Sequence, residues 1–304
     1  MAHSADRGKL STELANEATH DLDALTSEAA LALVQAEDRK LMDAVEAARP
    51  EITRAIDLVT EKLRAGGRLI YVGAGTSGRL GLLDAVECPP TFHTDPADVQ
   101  AILAGGDGAF LRSVEGAEDD TEAAREQIQK RAVCEDDVVF GITAGGTTPF
   151  VHAALDEARS LSAATIFFAC VSSEEVPDEA DLSIRVITGP EVLAGSTRLK
   201  AGTATKLVLN SITTIAMTRL GRVHGNQMVD VSVTNAKLRD RAERLVMELA
   251  GVERERAAGL LVAAEDRVKV AVVMHRHGLE LEDAHQHLLA HRQVLRDALA
   301  HTPT

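Results

Sequence analysis

The chain has 304 residues and a net charge of −15, from 47 Asp and Glu against 32 Lys and Arg, and that balance argues against a nucleic-acid partner, whose phosphates are bound by basic surface. A small anionic ligand remains open, because local dipoles and donors override global charge. Aromatic residues make up 2%, with Tyr71 the single tyrosine and no tryptophan, which argues against base-stacking platforms as well.

Residues 1–25 are polar and aperiodic, an arm that is disordered or lies across a partner. From Ser27 to about Ala47, the residues Ala30, Leu31, Leu33, Val34, Leu41 and Val45 recur at helical spacing, with Ser27 as N-cap. Pro50 suits the first turn of a second helix that ends near Ala65, before Gly66 and Gly67. Strands are predicted at 68–73, 99–103, 137–143, 164–171 and 182–187, rich in Val, Ile and Phe. They alternate with helices at 77–87, 120–132, 149–160 and 201–220. Alternation of this kind predicts an α/β fold, a doubly wound parallel sheet with helices on both faces and ligands at the carboxyl ends of the strands. After a loop at 223–233 the pattern turns purely helical, near 235–250, 253–263, 266–277 and 280–299. Three regions follow: an arm with helices at 1–57, a sheet domain at 58–222, and a linker with a small helical subdomain at 223–304.

Three cysteines, Cys88, Cys134 and Cys170, make neither a disulfide framework nor CxxC metal spacing. The start of the chain lacks a signal-peptide pattern, and no apolar run approaches the roughly 20 residues of a membrane helix. A cytoplasmic protein with no membrane partner is expected.

The most informative segment is RLIYVGAGTSGRLGLLDAVECPPTF, residues 68–92: an apolar strand, a glycine turn, and a helix carrying Glu87 ahead of Pro89 and Pro90. Gly73, Gly75 and Gly78 satisfy GxGxxG, yet a dinucleotide site wants a second strand ending in an acidic residue about 20 positions on, and Cys88, Pro89 and Pro90 stand there instead. Two readings remain for the turn. Either Gly75, Thr76, Ser77, Gly78 and Arg79 bind a phosphate monoester at a helix start, or the glycines merely let a helix pack on its strand. Two later turns favour the first: TAGGTTP at 143–149 offers Thr147 and Thr148, and GSTRLKAGTATK at 195–206 offers Ser196, Thr197, Arg198 and Lys200. Arg198 and Lys200 either meet anionic groups of a ligand or are helix-edge charges. A P-loop pattern, GxxxxGK[ST], is absent. His287 and His291 lie four apart with His275, His277 and His285 nearby, but no cysteine or third carboxylate completes a metal set, and no metal is expected.

Four segments, GAGTSGRLGLLDAVECPPTF, EGAED at 115–119, TGPEVLAGSTRLKAGTATKLVLN at 188–210 and GNQMVDVSVTNAKL at 225–238, together resemble the N-acetylmuramic acid 6-phosphate etherase family, from about residue 10 to 299. The resemblance implies a sugar isomerase (SIS) domain and a homodimer without metal or organic cofactor. It also implies hydrolytic cleavage of the D-lactyl ether of N-acetylmuramic acid 6-phosphate to N-acetylglucosamine 6-phosphate and D-lactate. By the same resemblance Glu87 is the acid that protonates the leaving lactyl oxygen, and Glu118 is the base that removes the carbon 2 proton. Opening the sugar to its aldehyde acidifies that proton, so elimination and then hydration become feasible through two positioned carboxyl groups. Glu87 must then stay protonated at neutral pH, which burial beside apolar residues would supply. Gly145 and Thr147 stand where the family usually has serine and arginine. Two rival functions share the fold: an aldose-ketose isomerase, which leaves the carbon 3 substituent intact, and a non-catalytic sugar-phosphate regulator.

Overall fold

The computed structural model describes residues 7–303. The chain divides into two compact units. One is built from the described residues up to Val86 together with Ala97–Ile212, the other from Glu87–Pro96 and the residues from Thr213 onward.

The first unit opens with three short 3₁₀ turns, Arg7–Lys9, Glu17–Thr19 and Leu22–Ala24. The arm is ordered on its own unit: Leu10 is buried, Ser11 N donates to Glu175 Oε1 at 2.7 Å, and Asn16 Nδ2 donates to Glu37 Oε2 at 3.0 Å. This corrects the expectation of disorder for the described part of the arm; residues 1–6 of that segment lie outside the described residues. Helix α1, Ser27–Ala47, is capped by Thr26, whose hydroxyl accepts from Ala29 N at 3.3 Å, one residue ahead of the predicted cap. Helix α2, Arg49–Arg64, carries Pro50 in its first turn.

The sheet follows. Strand β1, Leu69–Gly73, is wholly buried and leads into α3, Gly75–Phe92. Next come β2, Val99–Leu103; α4, Thr121–Lys130; β3, Val138–Ile142; α5, Pro149–Ser160; β4, Ala164–Ala169; and β5, Leu182–Arg185. All pairings are parallel, in the order β2-β1-β3-β4-β5. Strands buried on both faces read as continuous apolar runs, which is why the sequence locates all five. Ile70, Val72, Val139 and Phe167 pack with Phe150 and Val151 of α5 into one core. Helix α6, Lys200–Arg219, closes the alternation.

Within the second unit, a hairpin forms where a loop was predicted: β6, Val223–His224, pairs antiparallel with β7, Gln227–Met228, across Gly225 at φ +61°. Four predicted helices become five: α7, Ala236–Ala250; α8, Arg254–Ala263; α9, Val268–His277; α10, Leu281–Ala290; and α11, Leu295–Ala300. The run predicted at 280–299 breaks because Arg292 and Gln293 adopt φ of +54° and +62°, and the Gln293 carbonyl accepts from the buried Lys269 Nζ at 3.0 Å. Val246, Leu261, Val272 and Leu288 lie in its core.

The helix that carries Glu87 is longer than predicted. It passes through Pro89 and Pro90, which remove the N–H donors for the Ala85 and Val86 carbonyls, an interior defect costing about 3 kcal/mol or more per proline. Burial of Cys88 and Phe92 and the bond from His93 N to Pro89 O at 2.9 Å offset that loss. Glu87 therefore sits five residues before the helix end and not at it, where the predicted helix stopped.

Candidate active site

In the order β2-β1-β3-β4-β5 the chain reverses direction between β1 and β3, and such a switch point opens a crevice beyond the carboxyl ends of the two strands. The first two hydroxyl-bearing turns stand there. Gly73 ends β1 and is in register with Ile142 of β3 and Leu103 of β2.

Each glycine of the first turn has its own physical reason. A Cβ on Gly73 would lie 2.6 Å from Gly78 N, and one on Gly78 would lie 2.5 Å from Gly73 O and against Leu103, so both are required by the close approach of helix to strand. Gly75 has φ +53° and open space around it, the left-handed conformation that turns the chain into α3. The packing reading thus explains Gly73 and Gly78 without displacing the binding reading. The N–H groups of the first helical turn have no carbonyl behind them within the helix, and Thr76 and Ser77 are half-buried beside them. Arg79, expected near the phosphate, donates from Nη2 to Ala109 O at 2.8 Å and from Nε to Phe110 O at 3.1 Å. It ties α3 to the segment that follows β2.

In the second turn Thr143 and Thr148 share a hydroxyl hydrogen bond of 2.8 Å, and the His152 ring nitrogen meets Gly146 O at 2.7 Å. Thr147 is half-buried, and Thr148 stands at the N-cap of α5 without a side-chain cap bond. The third turn reaches the first: a Cβ on Gly202 would lie 3.5 Å from the Thr76 methyl and 3.7 Å from Thr197 O. Ser196 and Thr197 are half-buried there and Arg198 is exposed.

Lys200 is placed differently from either sequence reading. Only 2% exposed, its Nζ bonds Glu37 Oε2 at 3.0 Å, so it is an internal ion pair and neither a helix-edge charge nor a free cation for a ligand. Beside it lies a residue the sequence did not single out. Glu191, fully buried, accepts from Lys200 N and Ala201 N at 2.9 Å each, and so occupies the start of α6 with its own carboxylate. Its only sequence signal is a carboxylate a few residues ahead of a helix start. Burial pushes the Glu37 carboxyl up, but hydrogen bonds from Lys40, Lys200 and Asn16 outweigh it and hold that carboxyl at about 2.

Glu118 lies in a 3₁₀ turn, Ala117–Asp119, just ahead of α4, whose N-terminus is capped by Asp120 Oδ1 accepting from Ala123 N at 2.9 Å. It is exposed, as is Glu87, so the residues around Glu87 in this chain do not supply the burial expected of them. Glu115 and Gly116 line a cavity of about 420 Å³ with Gly105, Gly106, Asp120 and Gln127. Another cavity of about 460 Å³ lies in the second unit, and no predicted site residue lines it. Its buried ammonium, Lys269, is held by Asp230 at 2.7 Å and by the Gly221 and Gln293 carbonyls. The paired histidines are engaged with backbone: His287 Nε2 meets Ala298 O and His291 Nδ1 meets His287 O, each at 2.8 Å.

The family model of the SIS domain matches residues 118–215, and that of the glucokinase regulatory protein N-terminal SIS domain matches residues 51–159. A parallel sheet of this order, hydroxyl-bearing turns at its switch point and these matches define a protein of the SIS-domain class. The chain is 54% identical over 300 residues to the N-acetylmuramic acid 6-phosphate etherase of Trichormus variabilis, covering 99% of this chain and 98% of that one. It is 58% identical over 270 residues to the etherase of Gloeobacter violaceus, covering 89% and 88%. The chain belongs to the N-acetylmuramic acid 6-phosphate etherase family. A phosphoheptose isomerase from Francisella tularensis aligns with a TM-score of 0.47 at 19% identity, over 64% of this chain and 100% of that one.

Proposed function

We propose that this protein cleaves the D-lactyl ether of N-acetylmuramic acid 6-phosphate with water, releasing D-lactate and N-acetylglucosamine 6-phosphate. The observation that carries this reading is the likeness, at 54% identity over 99% of the chain, to a relative named for that substrate and reaction. The turns at residues 75–78, 145–148 and 195–197 suit the phosphate ester: helix-start N–H groups and neutral hydroxyls bind an anion without a fixed cation. This arrangement also fits a chain of net charge −15.

In this reading Glu118 takes the proton from carbon 2 of the open-chain sugar, the carbon 3 to oxygen bond breaks, and Glu87 gives its proton to the departing lactyl oxygen. Water then adds across the carbon 2 to carbon 3 double bond, its hydroxyl to carbon 3 and its proton to carbon 2. No redox partner is needed, since the bond broken and the water consumed balance. Both carboxyl groups are exposed in the single chain, so desolvation comes from bound substrate and from a second subunit of a cytoplasmic homodimer. The test is incubation with N-acetylmuramic acid 6-phosphate and enzymatic detection of D-lactate. Isomerised sugar with its ether intact, or binding without turnover by folded protein, would sink the etherase reading.

A further inference from the structure

The N-terminal arm brings to the second turn a hydroxyl that no group of the described residues engages. Thr12 is fully buried, and its Oγ1 has no hydrogen-bond partner among the described residues. Its place is fixed from both sides. Leu10 enters the sheet core, and Ser11 bonds through N and Oγ to Glu175 at 2.7 and 3.3 Å, the same carboxylate that accepts from Ser172 N at 2.9 Å. Between these anchors Thr12 faces Gly145, where a Cβ would lie 3.7 Å from the Thr12 oxygen. The turn there opens α5, a helix of 12 residues whose N-cap, Thr148, makes no side-chain cap bond and whose first residue, Pro149, has no N–H. A buried hydroxyl left without a partner costs on the order of 1–3 kcal/mol, and such groups are rare in native structures unless another state satisfies them.

We propose that Thr12 is a binding residue: in the liganded protein its hydroxyl donates to an oxygen of the phosphate ester seated on the Gly145–Thr148 turn. Glycine at 145 brings no side chain toward Thr12, and the arm supplies a hydroxyl at the one place in the turn where residue 145 has none. The inference rests on reading this turn as part of the sugar-phosphate site.

The test uses the full chain and N-acetylglucosamine 6-phosphate, the product of the proposed reaction, titrated by calorimetry into wild type, Thr12→Val, Thr12→Ser and Thr12→Val/Gly145→Ser. Thermal unfolding of each is followed in parallel. Thr12→Val removes the hydroxyl at constant shape, so its Kd rises about tenfold or more while its unfolding temperature is unchanged or higher. Thr12→Ser binds as wild type does. In the double variant a serine at 145, where a Cβ meets nothing closer than 3.7 Å, returns a hydroxyl to the gap and recovers most of the affinity. Unchanged affinity in Thr12→Val overturns the proposal, as does failure of the wild type to bind. An unfolding temperature lowered in Thr12→Val and kept in Thr12→Ser also overturns it, because the hydroxyl then has a partner in the unliganded fold. Wild type that binds the sugar phosphate but releases no lactate would end the etherase reading alone and leave the Thr12 measurement standing.

Discussion

Lys200 separates two accounts of the third turn. If its ammonium faced substrate, Lys200→Met would raise KM and leave stability alone. The structure gives the opposite expectation. Lys200 and Glu37 are 2% and 3% exposed and bonded at 3.0 Å. Glu37→Leu leaves the buried ammonium without its carboxylate, and breaking a buried pair in this way costs roughly 3–5 kcal/mol. At about 2–4 °C per kcal/mol for a unit of some 200 residues, the unfolding temperature falls by roughly 6–20 °C. Lys200→Met is milder, about 1–3 kcal/mol, because Lys40 and Asn16 still hold the Glu37 carboxylate. The double variant Glu37→Leu/Lys200→Met removes both charges and returns to within about 1–2 kcal/mol of wild type, since a buried pair replaced by apolar side chains is often neutral.

The pH dependence gives an independent arm. The folded-state value of Glu37 is lowered from 4.5 to about 2. The stability it contributes is thus fully present above 4.5 and disappears as the pH falls toward 2, about 3 kcal/mol in all. Wild type therefore loses about 3 kcal/mol relative to the double variant across that window in urea titrations followed by circular dichroism. A Glu37→Leu protein as stable as wild type, or a Lys200→Met protein of unchanged stability and raised KM, would refute the internal-anchor assignment.

Glu118→Gln abolishes solvent deuterium exchange at carbon 2 of the sugar, whereas Glu87→Gln impairs lactate release more than exchange; unchanged exchange in Glu118→Gln removes the base assignment. Gly78→Ala forces a Cβ to within 2.5 Å of Gly73 O and against Leu103, and loses about 1–3 kcal/mol in denaturant titration through overpacking. Gly75→Ala meets open space and loses only the left-handed backbone cost of about 1–2 kcal/mol, so a larger loss there than at Gly78 would contradict the packing argument. Burial pushes the Cys170 thiol up to about 12, and Cys88 is buried, while Cys134 is exposed. At pH 8 an alkylating reagent then labels Cys134 alone in the native protein, as peptide mass mapping would show, and the other two only after unfolding.

The sequence by itself determined the five strands, the helices between them and the three turns. Those features are written in local terms: apolar runs of strand length, hydroxyls and glycines where a strand hands over to a helix. It also carried the family, through four separated motifs that together resemble it. Tertiary structure decided what the charged and polar side chains of those motifs do. Lys200 looks like a site cation in GSTRLKAG, and becomes an internal anchor only because Glu37, 163 residues away, packs against it. Arg79 is claimed by the Ala109 and Phe110 carbonyls, Glu191 is turned onto the start of α6, and Thr12 is delivered to Gly145 by an arm that reads as featureless. In α3 the prolines that read as a stop signal are carried through, because the buried side chains of Cys88 and Phe92 favour continuation more than the lost backbone bonds oppose it. Periodicity and turn chemistry are properties of neighbours along the chain, whereas the partner of a buried ammonium or an orphan hydroxyl depends on segments far apart in sequence.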